Sequence, residues 1–326
     1  MTAETIAGTI NVEDIEELNY SVWPWDLRMR QMSRGKFRAH LDFAQVGGIL
    51  LTHERWSRSI CAVGATPAGY LAIAGSNTKT PFRYSGEDIY NGRVAFSLDT
   101  TDTEFATPDE ESHWVMLVPI EQVVDSLEED LAVTRSDVRR TLICDSRIVH
   151  QLGMLVVQSI ASFRHNSMYQ TDELLRNAIH AQLLEGVIEL LANSDIGSNR
   201  GSPRKRFLAC RRALIHAEKL NHPISVDELA VQAGVSRRIL QIGFKETLDV
   251  SPHRYLRNLR LNGLHRDLRR ASPRSSTVTE MAVHWGFTDL GRTAGVYKNL
   301  FGETPSETLK RSIGTPPARL ADALHG

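Results

Sequence analysis

Long hydrophobic runs are missing from this chain. No stretch approaches the roughly 18 apolar residues that a membrane-spanning helix needs, so no membrane partner is expected. The opening stretch MTAETIAGTINVEDIEEL lacks the basic start and apolar block of a secretory signal, which points to the cytoplasm. Cysteine is scarce as well: Cys61, Cys144 and Cys210 stand singly, with the spacing of neither a disulfide framework nor a zinc site. No Ser/His/Asp or Cys/His arrangement can be named with its spacing, so the chain does not read as an enzyme. Net charge is nearly absent too, at −1 over 326 residues. What is present, 41% hydrophobic and 24% charged residues, describes an ordinary globular protein long enough for two domains.

The near-zero charge conceals a division. Residues 1–201 carry 17 Lys and Arg against 28 Asp and Glu, a net −11, whereas residues 202–326 carry 21 against 11, a net +10. An acidic front and a basic back suggest that only the back meets a polyanion. The switch coincides with residues 194–203, SDIGSNRGSP, whose Gly, Ser, Asn and Pro content predicts a linker. The boundaries that follow are a front domain over 1–193, the linker, a basic domain over 204–312 and a tail over 313–326.

Within the front domain, residues about 37–120 hold short alternating runs such as 94–98, VAFSL, and 114–118, WVMLV. They are separated by turn signals including Gly47-Gly48 and Asn91-Gly92, a pattern that predicts a small antiparallel sandwich or barrel. From 121 to 193 the period lengthens to that of helices, one near 146–164 and one carrying Leu175, Ile179, Leu183 and Val187 as an apolar stripe. That stripe needs a covering surface, either a second copy in a two-fold homodimer or the chain's own barrel.

In the basic domain, Ser225 reads as the cap of a short helix bearing Leu229 and Ala230, and Gly234 as its left-handed stop. Ser236 then caps a second helix with Ile239, Leu240 and Phe244 toward the core and Arg237, Arg238 and Gln241 outward. That is the layout for setting a helix in a major groove with its first turns on base edges. The arrangement returns about 52 residues later: Met281-Ala282 replaces Leu229-Ala230, Gly286 replaces Gly234, Asp289 caps the next helix and Arg292 points outward. A helix over Tyr255–Arg270 would connect the two units.

These residues, with Ser251-Pro252, Trp285-Gly286-Phe287 and the closing 301–306 segment FGETPS, resemble the DNA-binding domain of AraC/XylS-family regulators over about 100 residues. The front domain resembles the family's cupin-like sensor and dimerisation domain more loosely. The resemblance implies an α+β chain: a β-rich sensor with dimerisation helices, then an all-α domain with two helix-turn-helix units. It further implies double-stranded DNA and RNA polymerase as partners and control by an effector; the sign of regulation stays open. The DNA-binding residues so expected are Ser236, Arg237, Arg238, Gln241, Asp289 and Arg292. The second recognition helix departs from the family pattern, with Gly291 and Gly295 near its exposed face and Thr293 in place of an aromatic. Each interior Gly costs about 0.5–1 kcal/mol of helix stability, so the first unit should read bases and the second mainly touch phosphates.

Two clusters in the sensor region invite a ligand. His40, His53 and His113 suggest metal, but the closely spaced His pair of the family's metal-type pattern is absent, and neither metal nor cofactor is expected. Arg30, Arg34 and Arg38 would stand in a row on a helix and clamp an anionic effector. Their spacing resembles the Arg-x-x-x-Arg motif with which PilZ-type domains hold cyclic di-GMP. The plainer alternative, which the residue types favour, is a solvated basic edge or a contact with the acidic stretch Glu13–Glu17.

Overall fold

The computed structural model describes residues 6–22, 25–76, 78–90, 92–98, 103–123, 141–194, 205–220, 222–272 and 277–311. The expected linker, apart from Ser194, and the expected C-terminal tail lie outside them.

Strands begin earlier than the sequence patterning suggests. β1 (Ile6–Val12), helix α1 (Ile15–Ser21) and β2 (Asp26–Gln31) all precede residue 37. The alternation in β1 is hard to see because Gly8 stands where an apolar side chain is looked for; a Cβ there would lie 2.8 Å from the Phe43 ring. The remaining strands are β3 (Ala39–Val46), β4 (Ile49–Trp56), β5 (Ile60–Ala65), β6 (Tyr70–Ser76), β7 (Phe82–Tyr84), β8 (Glu87–Ile89), β9 (Arg93–Leu98), β10 (Thr103–Ala106), β11 (Glu111–Pro119) and β12 (Thr141–Ile143). β12 falls inside the stretch expected to be wholly helical. β3 and β4 are joined by Gly47 and Gly48, both at positive φ, the two-residue turn whose twist matches antiparallel strands.

The strands form two sheets, one in the order β1-β3-β4-β11-β6-β9-β12 and one in the order β2-β5-β10-β7-β8. They face each other as a sandwich. The outer face of the larger sheet is covered by α2 (Ser146–His165) and, after the short α3 (Ser167–Thr171), by α4 (Glu173–Ala192). Of the two coverings expected for the apolar stripe, one is found. Leu183 and Val187 are fully buried against the chain's own sheet and α2, and Leu175 and Ile179 are half-buried. The stripe is therefore covered by its own barrel rather than by a second copy.

The basic domain is helical: α5 (Lys205–Lys219), α6 (Val226–Ala233), α7 (Arg237–Leu248), α8 (Pro252–Arg270), α9 (Val278–His284), α10 (Leu290–Phe301) and α11 (Pro305–Lys310). It packs on the outer face of the smaller sheet. The core of α5–α7 and the start of α8 includes Met32, Cys61 and Val63 from that sheet region. The core of α9 and α10 runs without a break into α1, β1 and β2. The sheet edge at β2 is closed by an asparagine: Asn262 Oδ1 accepts from Gln31 N (2.9 Å) and its Nδ2 donates to Gln31 O (3.1 Å). Asn19 of α1 does the same for Met29, accepting from its N–H (2.8 Å) and donating to its carbonyl (3.0 Å), so two asparagines supply pairing that a neighbouring strand would otherwise give.

Candidate nucleic-acid interface

Each half of the basic domain is a helix pair built by local chemistry. Ser225 starts α6 with a reciprocal capping box to Glu228, and Gly234 ends it at φ 70°, with its N–H on Val231 O. Ser236 then accepts from Ile239 N and opens α7. The second unit repeats the scheme: Thr277 and Glu280 box the start of α9, Gly286 takes φ 74°, and Asp289 accepts from Arg292 N (2.9 Å) to open α10. Both units hang on α8. Trp285 packs on Gly263, where a Cβ would lie 2.3 Å from the ring, and donates Nε1–H to Asp267 (2.7 Å). Phe287 sits under the Arg260 guanidinium, 5.2 Å from ring centre to Cζ.

Every expected DNA-facing residue, Ser236, Arg237, Arg238, Gln241, Asp289 and Arg292, is exposed on the first turns of α7 or α10. Among the described residues, only Arg237 of these is engaged by a charge, Asp227 at 3.4 Å. Ile239 is corrected: it is 38% exposed rather than core, because α7 turns Leu240, Gly243 and Phe244 inward and leaves Ile239 at the margin. In α10, Gly291 and Gly295 lie outward and a Cβ at Gly295 would meet open space. Thr293 is buried and donates its hydroxyl to Asp289 O (2.6 Å), occupying the expected aromatic position. Between the two units Arg257 is half-buried; burial, then Arg254 and Arg34, lower its pKa, which marks a spot where cations gather.

The arginine row does not form. Arg30 lies on a strand rather than a helix, and its guanidinium is buried on Glu218 (2.7 Å), which also accepts from Tyr255 (3.1 Å). Burial alone would lower the Arg30 pKa, but Glu218 outweighs it and raises it. Arg34 and Arg38 are exposed in the segment that follows. Period 4 mimics a helix face, but on a strand and its connecting turn it brings nothing together. The acidic stretch is paired with other cations, Glu13 with Lys36 and Glu17 with Arg269 (2.8 Å). Burial raises the Glu16 pKa while Arg30 pulls it down, and Arg38 adds to the lowering that Lys36 causes at Glu13. The three histidines are also apart in role: His40 binds Asn11 and Asp42, His53 contacts Ser112, and His113 lies 3.5 Å from Glu54.

Three features had no sequence signal. One is a cavity between the sheets, 60 Å³ on a scale where one water needs about 10–15 Å³. Trp25, Met29, Phe82, Tyr84 and Phe105 wall it, with Glu54 and His113 as its ionisable groups. Burial raises the Glu54 pKa, but His113 and Thr52 hold it below the usual range, and His113 Nδ1 has no hydrogen-bond partner among the described residues. The second is a buried junction between the domains. Asp14 caps α1 and meets His265 (3.0 Å), Arg311 (2.7 Å) and Arg269 (3.5 Å). Burial would raise the Asp14 pKa, but His265 and then Arg269 hold it well below the usual carboxylate range. The third is Arg83, whose Nη1 donates to Lys245 O and Glu246 O, both at 2.9 Å.

Residues 229–311 match the family model described as a helix-turn-helix domain. The chain is 45% identical over 95 residues to a "Probable thc operon regulatory protein" of Rhodococcus erythropolis, covering 29% of this chain and 28% of that one. It is 37% identical over 94 residues to a XylDLEGF operon transcriptional activator of Pseudomonas putida, 29% of each chain. The chain therefore matches less than a third of the length of these curated relatives. A solved structure from Rhodopseudomonas palustris, titled as a probable AraC family transcriptional regulator, matches at 35% identity. That match covers 32% of this chain and 96% of that one, at a TM-score of 0.29.

Proposed function

The chain belongs to the AraC family of transcription regulators, and on that premise we propose that it is a sequence-specific, effector-responsive regulator that acts on DNA in the cytoplasm and works with RNA polymerase. The observation that carries this is the pair of capped helices, α7 and α10, which hang on one connecting helix and expose polar side chains on their first turns. Arg238 and Gln241 stand on a helix whose buried side is intact, so they are aimed at base edges; Arg pairs with guanine and Gln with adenine. Arg292 stands between Gly291 and Gly295 on the less rigid helix and meets a phosphate. Selection from randomised DNA with the full chain tests the assignment. Arg238→Ala and Gln241→Ala are expected to relax preference at one or two base pairs, each costing about 1–3 kcal/mol. Arg292→Ala should weaken binding to all sequences alike. A shifted motif for Arg292→Ala with an unchanged one for Arg238→Ala reverses the assignment.

The effector site we assign to the cavity rather than to the arginines. Arg30 is buried and paired, which leaves no three-arginine clamp for cyclic di-GMP or another anion, whereas the cavity offers apolar walls and His113 Nδ1, which has no partner among the described residues. A small, mostly apolar molecule with one hydrogen-bonding group suits it. The homodimer contact we assign to the outer faces of α2 and α4, where Met154, Leu174 and Ile188 are 43%, 80% and 40% exposed. Sedimentation should show a dimer that Leu174→Glu converts to monomer; a variant that stays dimeric places the contact elsewhere.

A further inference from the structure

Both recognition helices end on the same sheet. The last four carbonyls of a helix have no partner within it. In α7 two of them, Lys245 O and Glu246 O, accept from Arg83 of β7. In α10 two of them are again taken: Leu300 O accepts from Gln31 Nε2 (2.5 Å), and Asn299 O and Leu300 O from Gly35 N (3.1 Å each). Gln31 ends β2 and Gly35 lies just beyond it. A guanidinium at a helix C-terminus also meets the negative end of the helix dipole. The opposite ends of both helices, where Ser236 and Asp289 cap, stay exposed.

The two helix-turn-helix units do not share one core. The first closes around Leu229, Leu240, Phe244 and Tyr255 with Cys61 and Val63 of the sheet; the second closes around Leu264, Trp285, Tyr297 and Phe301 with Leu18 and Met29. Beyond α8 and a direct contact in which Pro223 of the first unit packs on Gly286 of the second, where a Cβ would lie 2.5 Å away, what the units have in common is the sensor sheet beneath them. We propose that this five-stranded sheet is a brace that fixes the separation and relative rotation of α7 and α10, with Arg83 and Gln31 as its positioning residues. It thereby sets the spacing between the two half-sites the protein accepts. The inference rests on the DNA-binding reading above.

Strand alternation places the α7 end of the brace one residue from the cavity, while Gln31 shares the face of the cavity-lining Leu27 and Met29. Phe82 and Tyr84 line it while Arg83, between them, holds α7; Leu27 and Met29 line it while Arg28 and Arg30, on the other face, hold Glu218; Phe105 lines it while Glu104 faces Arg211 at 3.6 Å. Successive strand residues point to opposite faces, so an occupant on one side presses on β7, which carries the end of α7 on the other.

The test uses the full chain and its selected DNA, rebuilt with zero, one or two base pairs inserted between the half-sites. Each inserted pair moves one site by about 3.4 Å and rotates it by about 35°. The wild type should lose at least tenfold in affinity per inserted pair. Arg83→Ala, a change at a side chain 28% exposed, should lose about threefold or less, with base preference inside each half-site kept. Arg83→Lys, which still donates to the carbonyls, should restore the wild-type penalty. Gln31→Met, of similar length but without the donor, should relax spacing as Arg83→Ala does. A spacing penalty in both Arg83→Ala and Gln31→Met equal to that of the wild type, at unchanged melting temperature, overturns the brace. A wild type that selects no sequence at all fails at the first step, and that outcome identifies the DNA-binding reading, and the brace with it, as wrong.

Discussion

Asp14→Asn isolates the charge at the domain junction from the helix cap it also forms. Asn is as good an N-cap as Asp, so the bond from Glu16 N (2.8 Å) survives and only the carboxylate charge is lost. The full cost of stripping one partner from a buried ion pair is about 3–5 kcal/mol. The two arginines keep another acid here: Arg269 retains Glu17 at 2.8 Å, and Arg311 retains Glu303 at 3.0 Å. His265, 2% exposed, keeps, among the described residues, only Tyr297 Oη as a hydrogen-bond partner on its other nitrogen (2.6 Å). The loss should therefore fall at the lower end, about 3 kcal/mol at pH 7. Urea unfolding measures it as a lowered midpoint at unchanged slope. The pH dependence has a fixed sign. The folded pKa of Asp14 is depressed below its ordinary 3.8, so its stabilisation is complete above that value and disappears as pH falls through the folded pKa. The gap between wild type and variant should stay constant from pH 8 to 5 and close only in strong acid. A gap below about 1 kcal/mol at pH 7, or one already gone at pH 5, would refute the reasoning.

Three further outcomes are expected. Burial pushes the Glu111 pKa up to about 7 from 4.5, so its ionisation opposes folding as pH rises between those values. Glu111→Gln should raise stability near pH 8 by up to about 3 kcal/mol, with the gain fading below pH 5 in denaturant titrations; a gain that persists at pH 4 contradicts it. Benzene or xenon should bind the cavity and raise the melting temperature saturably, as apolar cavities take such probes; Ala74→Leu, which intrudes on the cavity wall, should abolish the rise, and an unaltered rise places binding elsewhere. Trp285→Ala should cost about 3–5 kcal/mol, because the ring fills the space over Gly263 and its indole N–H is bonded to Asp267; a loss under 1 kcal/mol in urea unfolding would show that the second unit does not depend on that anchor.

The DNA-facing surface was legible because caps and turn glycines are local devices: Ser225, Gly234, Ser236, Gly286 and Asp289 each act within four residues of their own position. The sandwich was legible from alternation, but β1 and β2 were not, since Gly8 and the charged residues of β2 mask the period. Those charges, Arg28 and Arg30, face Glu218 from 190 and 188 positions away. Pairings over such separations have no pattern in one sequence. The same holds for Arg83 on α7 and Asp14 on His265. The Leu183 stripe shows a related limit: periodicity tells that a face is covered, not what covers it.

The central claim, that two capped helices read DNA, is tested most directly by the affinity of the full chain for its selected sequence and for a scrambled one across a range of salt. Specific binding should exceed non-specific by at least about 10³-fold, and log affinity should fall with log salt by about 0.9 for each phosphate neutralised. Equal affinity for both sequences, or binding indifferent to salt, would contradict it.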